Sequence, residues 1–253
     1  MKNLILIFTL AMLMISLTGC VTVSYTMGSG IMVGKGDIIT VDFPVSEIGE
    51  FTKVNINLHA KLHFIKTDSE PGGVRIELHE NLAEHLNVHT MHEVLFIESD
   101  RNFRAGGNSD SVPQVYISAQ SLDLLIISGV IEIGNFDTIT GDTFSLGNSG
   151  VISGDALELD VKELTVNISG VGSLNLIGSA EKVNVESSGV GHLNALELAS
   201  REMVITLSGV GSAEVYCIEK LEATMSGVGS IRYKGNPEVN QIRIGVGNIS
   251  RID

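Results

Sequence analysis

One phrase recurs down the second half of the chain at almost constant spacing. It reads Ser128-Gly129-Val130-Ile131, Ser149-Gly150-Val151-Ile152, Ser169-Gly170-Val171-Gly172, Ser188-Gly189-Val190-Gly191, Ser208-Gly209-Val210-Gly211 and Ser226-Gly227-Val228-Gly229. Ile244-Gly245-Val246-Gly247 is a degenerate seventh copy. The first glycines are 21, 20, 19, 20, 18 and 18 residues apart. Runs such as Leu164-Thr165-Val166-Asn167-Ile168 and Met203-Val204-Ile205-Thr206-Leu207 precede the phrase. Their period-two alternation predicts strands with one buried face. Shorter runs follow it, such as Leu174-Asn175-Leu176 and Ile231-Arg232-Tyr233, and in most repeats a third, such as Leu196-Glu197-Leu198. Two or three short strands in about twenty residues leave no room for a helix and describe one coil of a solenoid.

A single coil cannot bury its own apolar face, so coils must stack about 4.8 Å apart, Val on Val and Leu on Leu. The glycines are expected at corners, where φ is positive or a Cβ would strike the next coil. The serines are expected to form a ladder, bonding backbone groups or one another. The predicted fold class is all-β, a parallel β-helix or β-solenoid with coils of about 20 residues, the regular repeats filling 121–253. Arg243 falls where a core residue is due, and the ending from Asn248 to Asp253 is more polar, so this end is expected to be the C-terminal cap. Residues 37–120 lack the phrase but carry strand-like runs, among them Phe51 to Leu58, Val74 to Leu78, Val94 to Ile97 and Val115 to Ile117. They are expected to continue the sheets as irregular coils and cap the other end, with a helical turn within Glu80 to His89. Arg101 to Val112 is expected to be a polar loop.

Composition agrees: 28 Gly, 4 Pro and few aromatics suit many short strands joined by tight turns. The net charge of −14 argues against a nucleic-acid partner and against anionic head groups. Residues 1–19 have the form of a secretory signal, a lysine followed by an apolar run too short to span a bilayer comfortably. Leu17-Thr18-Gly19-Cys20 resembles the lipobox of bacterial lipoproteins. That resemblance implies cleavage before Cys20, lipidation of its sulfur and acylation of the new amino group, hence a membrane anchor. Val21 rather than Asp after the cysteine implies, by the same likeness, the outer membrane. Residues 20–36 read as a flexible tether, and 37–253 as the solenoid domain. Cys217, in an apolar run, is expected to be a buried, inert thiol.

Phe51-Thr52-Lys53-Val54, the lead-in Leu122-Asp123-Leu124-Leu125-Ile126-Ile127-Ser128-Gly129 and the repeated Ser-Gly-Val-Gly together resemble the GIN domain, a family named for the head domain of auto-transporter adhesins. The likeness covers about Phe51 to Gly235. It implies an exported, envelope-associated protein with a right-handed parallel β-helix-like fold, and it supplies no catalytic residues.

Chemistry is harder to find. The serines are accounted for by the repeat, and the glycine phrase recurs between strands rather than once before a helix, unlike a phosphate loop. His59, His63, His79, His85, His89 and His92 cluster in sequence; His85, His89 and His92, with Glu84 and Glu93, have spacings a zinc site could use, but exposed strand or loop histidines are the preferred explanation. Asp137, Asp142, Asp155 and Asp160 could line a face but read as turn residues. No cofactor is expected. The expected function is non-enzymatic binding of an unknown glycan or protein. The alternatives are a carbohydrate-active β-helix enzyme, which needs clustered carboxylates, and a structural lipoprotein that self-associates as a homo-oligomer.

Overall fold

The computed structural model describes residues 31–68, 72–104 and 112–252. The N-terminal part holds β1 (Met32–Val33), β2 (Ile38–Pro44), the turn of helix α1 (Val45–Ile48), β3 (Lys53–Asn57), β4 (His59–Lys66) and β5 (Gly73–His79). It continues through the helical turn α2 (Glu80–Ala83), β6 (Leu86–Met91), β7 (Val94–Ser99), β8 (Phe103–Arg104) and β9 (Gln114–Ala119). The repeats supply β10 (Leu124–Ile127), β11 (Val130–Phe136), β12 (Ile139–Asn148), β13 (Val151–Gly154), β14 (Leu157–Ile168) and β15 (Val171–Ser187). The last strands are β16 (Val190–Leu207), β17 (Val210–Met225), β18 (Val228–Lys234), β19 (Glu238–Arg243) and β20 (Val246–Arg251). The protein is a β-solenoid of stacked parallel coils, and the glycine corners pile in register: Gly172 lies over Gly191, Gly211, Gly229 and Gly247 in turn.

Alternation explains the core. Val54, Leu125, Leu146, Val166, Val185, Ile205 and Ala223 form one continuous inward column, each register-matched to the next. A second column runs Ile56, Ile127, Asn148, Ile168, Ser187, Leu207 and Met225. In the last coil these columns close with Gln241 and Arg243. Arg243 turns its guanidinium to donate to the Gly247 carbonyl at 2.9 Å, so charge sits where a further coil would need apolar surface. All members of the core cluster lie between Met32 and Ile249. A chain beginning at Val21 therefore retains the whole core.

The corners are close approaches. A β-carbon on Gly170, Gly189 or Gly209 would stand 2.0 Å from the carbonyl oxygen of the matching glycine one coil earlier. The second glycines are tighter still, and Gly172, Gly229 and Gly247 also have φ of 135°, 151° and 148°. From Ser149-Gly150 to Ser226-Gly227 the Ser and Gly amides both donate to one carbonyl below, as Ser188 and Gly189 do to Ile168 at 2.8 and 3.1 Å. The serine hydroxyls follow the same carbonyls: Ser149, Ser169 and Ser208 donate to the coil before at 3.3–3.4 Å. Only Ser149 also reaches a neighbouring serine hydroxyl, Ser128, among the described residues.

The valines of the phrase stack Val on Val as expected, from Val130 through Val151, Val171, Val190, Val210 and Val228 to Val246. They face outward, not into the core. Val130, Val151, Val171, Val190, Val210 and Val228 are between 40% and 54% exposed, and Val246 is 72% exposed. The physical reason is that the inward parity runs straight through the corner. Leu164, Val166 and Ile168 point in, Gly170 and Gly172 take the next inward positions, and Leu174 and Leu176 resume. Glycine fills the inside of the bend, and valine is left on its outer rim.

The N-terminal part is only partly a set of coils. β3 and β4 form a true coil, stacked in parallel on β10 and β11. Their other edges carry β7 and β9, also parallel. Beyond these the pairing reverses: β6 is antiparallel to β7, and β5 is antiparallel to both β9 and β2. This mixed sheet covers the open end of the stack. The helical turn expected within Glu80 to His89 is α2. The β6–β7 hairpin turns through His92 and Glu93, which have φ of 51° and 63°. Residues 32–36, the last part of the expected tether, are held: β1 pairs with β8, Asn81 bonds Val33 and Lys35, and His79 bonds Gly36.

Candidate functional site

The outer face of the N-terminal sheet gathers the molecule's most varied side chains. Five strands lie side by side there in the order β11, β4, β9, β5, β2. Alternation points every second residue outward, so register sorts these residues into rows. The first row is Glu132, Lys61, Gln114, Glu77 and Thr40; the second is His63, Tyr116, Arg75 and Asp42; the third is Ile65, Ser118, Gly73 and Pro44.

The second row is tightly built. The His63 and Tyr116 rings stack at 4.6 Å, 14° from parallel. The Asn135 amide donates to His63 Nδ1 at 3.0 Å, so the proton sits on Nε2, which donates to Gln114 Oε1 at 3.1 Å. Gly134 makes room for this ring: a β-carbon there would lie 2.4 Å from His63 Cε1. Arg75 Nε donates to Asp42 Oδ1 at 2.8 Å, and the Asp42 hydrogen bond raises the guanidinium pKa. Burial, with Glu77 alongside, pushes the Tyr116 phenol up and keeps it neutral. Lys61 pairs with Glu132 at 2.8 Å.

The third row makes a hollow. Ser118 and Gly73 are small and stand between Ile65 and Pro44. The Gly72 backbone lies so close to Ser118 that a β-carbon would meet its carbonyl oxygen at 2.0 Å. The resulting concavity has a volume of about 600 Å³ and is walled by Asp42, Pro44, Ile65, Arg75, Glu77 and Tyr116. It is an open groove on the sheet face, of a size that a sugar residue could lie in and not be enclosed by. Its polar groups can both donate and accept, and Ile65 and Pro44 give it an apolar side. Asp42 and Glu77 lie one strand and two residues apart, roughly 8 Å between their backbone positions.

The residues singled out from the sequence are placed elsewhere. Cys20 and the signal segment lie outside the described residues. His85 bonds Asp100 Oδ1 at 2.8 Å, His89 stacks on Phe96 at 5.2 Å, and His92 sits in the hairpin turn. The three do not converge, and among the described residues no group of three or more His, Cys, Asp or Glu is arranged to hold a metal. Of the aspartates, Asp137 accepts the Lys66 amide, Asp142 pairs with Lys162, and Asp160 accepts from Ser179. Cys217 is fully buried, and burial pushes its thiol pKa up. The hollow itself was not foreseen. Alternation in Val74 to Leu78 and Val115 to Ile117 marks Arg75, Glu77 and Tyr116 as outward, but nothing local says that β5 and β9 are neighbours.

A structure of a "putative adhesin" from Bacteroides fragilis is 24% identical, with a TM-score of 0.78 over 87% of this chain and 100% of that one. A "putative adhesin" from Parabacteroides distasonis is 21% identical, with a TM-score of 0.63 over 88% and 100%. A "putative lipid binding protein" from the same species is 18% identical, with a TM-score of 0.64 over 88% and 100%. At these identities the likeness establishes the fold. Among curated proteins no sequence match is found. The family model described as "Putative auto-transporter adhesin, head GIN domain" matches residues 50–237. With that match spanning well over half its length, the chain belongs to the GIN-domain family.

Proposed function

We propose that this protein is an envelope-anchored, non-enzymatic, adhesin-like module that binds a glycan in the hollow beside Tyr116 and Arg75. The observation that carries the reading is the make-up of that hollow. Carboxylate, guanidinium, phenol and hydroxyl groups surround a small apolar wall, a combination suited to sugar hydroxyls and the C–H face behind them. The family's adhesin name supports a binding role at the cell envelope or surface. Cys20, in its lipobox-like setting, supports a lipid anchor.

The test is a glycan array probed with the chain from Val21 onward, alongside Arg75→Ala and Tyr116→Ala. Binding that falls at least tenfold in both variants, with unchanged melting, supports the site. Absence of any glycan signal, or signal indifferent to both substitutions, overturns it. The enzymatic alternative has one observation in its favour: two carboxylates, Asp42 and Glu77, line the same hollow. New reducing ends released from a bound glycan by wild type and lost in Glu77→Gln would establish that alternative in place of simple binding.

A further inference from the structure

The outward valines of the repeats form a continuous apolar ridge on the surface. From Val130 to Val246 it runs about 29 Å, six steps of one coil each. The residues directly before and after each valine take inward positions, so the valines stand as a single outward row between the next outward rows. Two residues away on either side the outward positions are serines, with His192, Asn248 and Ile244 the exceptions from the second coil onward. Hence a band three outward residues wide, from Ser149 to Asn248, carries no acidic residue and no lysine or arginine. On a chain of net charge −14 this band is where two copies can approach without like-charge repulsion.

We propose that the ridge is a self-association surface, covered by the ridge of a second copy of this chain. Three features favour that occupant. The backbone amides and carbonyls beneath the ridge are spent on neighbouring coils, as in Val190 to Gly170 and Val210 to Gly189 at 3.0 Å, so a peptide strand finds nothing to pair with. A second copy has the same rise per coil, so two ridges laid along one another stay in step over their full length. Both faces lack net charge. The band is about 29 Å by 14 Å, near 400 Å² in plan and about 800 Å² over two copies, below the size of stable specific interfaces, so the association is a weak, reversible one. The opposite route, stacking end to end, is disfavoured by Arg243 and Gln241 in the core columns of the last coil.

Val190 is the fourth of the seven valines and lies at the middle of the ridge, near its counterpart whichever way the copies run. The chain from Val21 onward is taken through analytical ultracentrifugation from about 1 to 300 μM, with Val171→Asp/Val190→Asp and Val171→Thr/Val190→Thr alongside. The ridge is supported by a concentration-dependent dimer whose Kd rises at least 100-fold with aspartate and measurably with threonine, at unchanged melting temperature. Oxidation of Val190→Cys should then trap a disulfide dimer, since Cys217 is buried and does not compete. A monomer at 300 μM, or a dimer that survives both double substitutions, overturns it. So does a Val190→Cys variant that stays uncrosslinked while dimeric. Each of these readouts is independent of glycan binding.

Discussion

Replacing Gly189 by alanine adds one carbon, and the corner has no place for it. The new carbon would lie 2.0 Å from the Gly170 oxygen, whereas ordinary contact begins at 3.4 Å. About 1.4 Å must be found between coils stacked roughly 4.8 Å apart. The bonds that would stretch are Ser188 and Gly189 to Ile168, at 2.8 and 3.1 Å, and Val190 to Gly170, at 3.0 Å. Overpacking of this kind costs about 1–3 kcal/mol. Weakening one or two hydrogen bonds adds about 1 kcal/mol each. A total near 3 kcal/mol lowers Tm by about 6–12 °C for a domain of this size. Gly147 is the control, because its φ is unremarkable and the nearest atom to an added carbon is Ile126 Cγ1 at 3.8 Å. Gly147→Ala should hold Tm or raise it by a few degrees, through lower entropy of the unfolded chain. Thermal unfolding followed by circular dichroism compares the two. If both variants melted alike, close approach would not be the reason for glycine at the corners.

Three further outcomes are expected. Asn148 is buried in an otherwise isoleucine-flanked position, and its amide nitrogen and oxygen have no hydrogen-bond partner among the described residues; Asn148→Ile should raise stability by about 1–3 kcal/mol, and a lower Tm would refute this. The raised thiol pKa of Cys217 stabilises the fold fully below the unfolded thiol's value near pH ~8.5 and loses that contribution as pH climbs toward the folded value. Stability above about pH 8.5 should therefore fall more steeply in wild type than in Cys217→Ala, and parallel curves would argue against it. Finally, Cys20→Ala in the full chain should move the protein from the membrane fraction to the soluble fraction and abolish fatty-acid labelling; retention with label would place the anchor elsewhere.

The Ser-Gly phrase made the stack legible because each coil repeats the same geometric demand at its corner. Even the outward valines were encoded. Carrying the parity of Leu164, Val166 and Ile168 through Gly170 to Leu174 puts Val171 outside. The N-terminal order was not legible. β3 and β4 stack directly on β10 and β11, and the chain between them, from β5 to β9, is laid on the far side. Antiparallel β5 joins β9 across a long separation, and that pairing alone brings Arg75 beside Tyr116. Local alternation specifies which way a side chain faces, not which strand lies next to it, so a site assembled from four strands stayed hidden.

The arginine that closes the last coil belongs to the terminus and not to the repeat, so nothing in the middle of the stack counts how many turns there are. Duplicating a span such as Val190 to Gly209 should lengthen the rod by about one strand spacing per copy while leaving both ends, and the hollow at the far one, untouched. The length of the rod would then be adjustable in small, equal increments, a ruler whose graduations are the glycine bends.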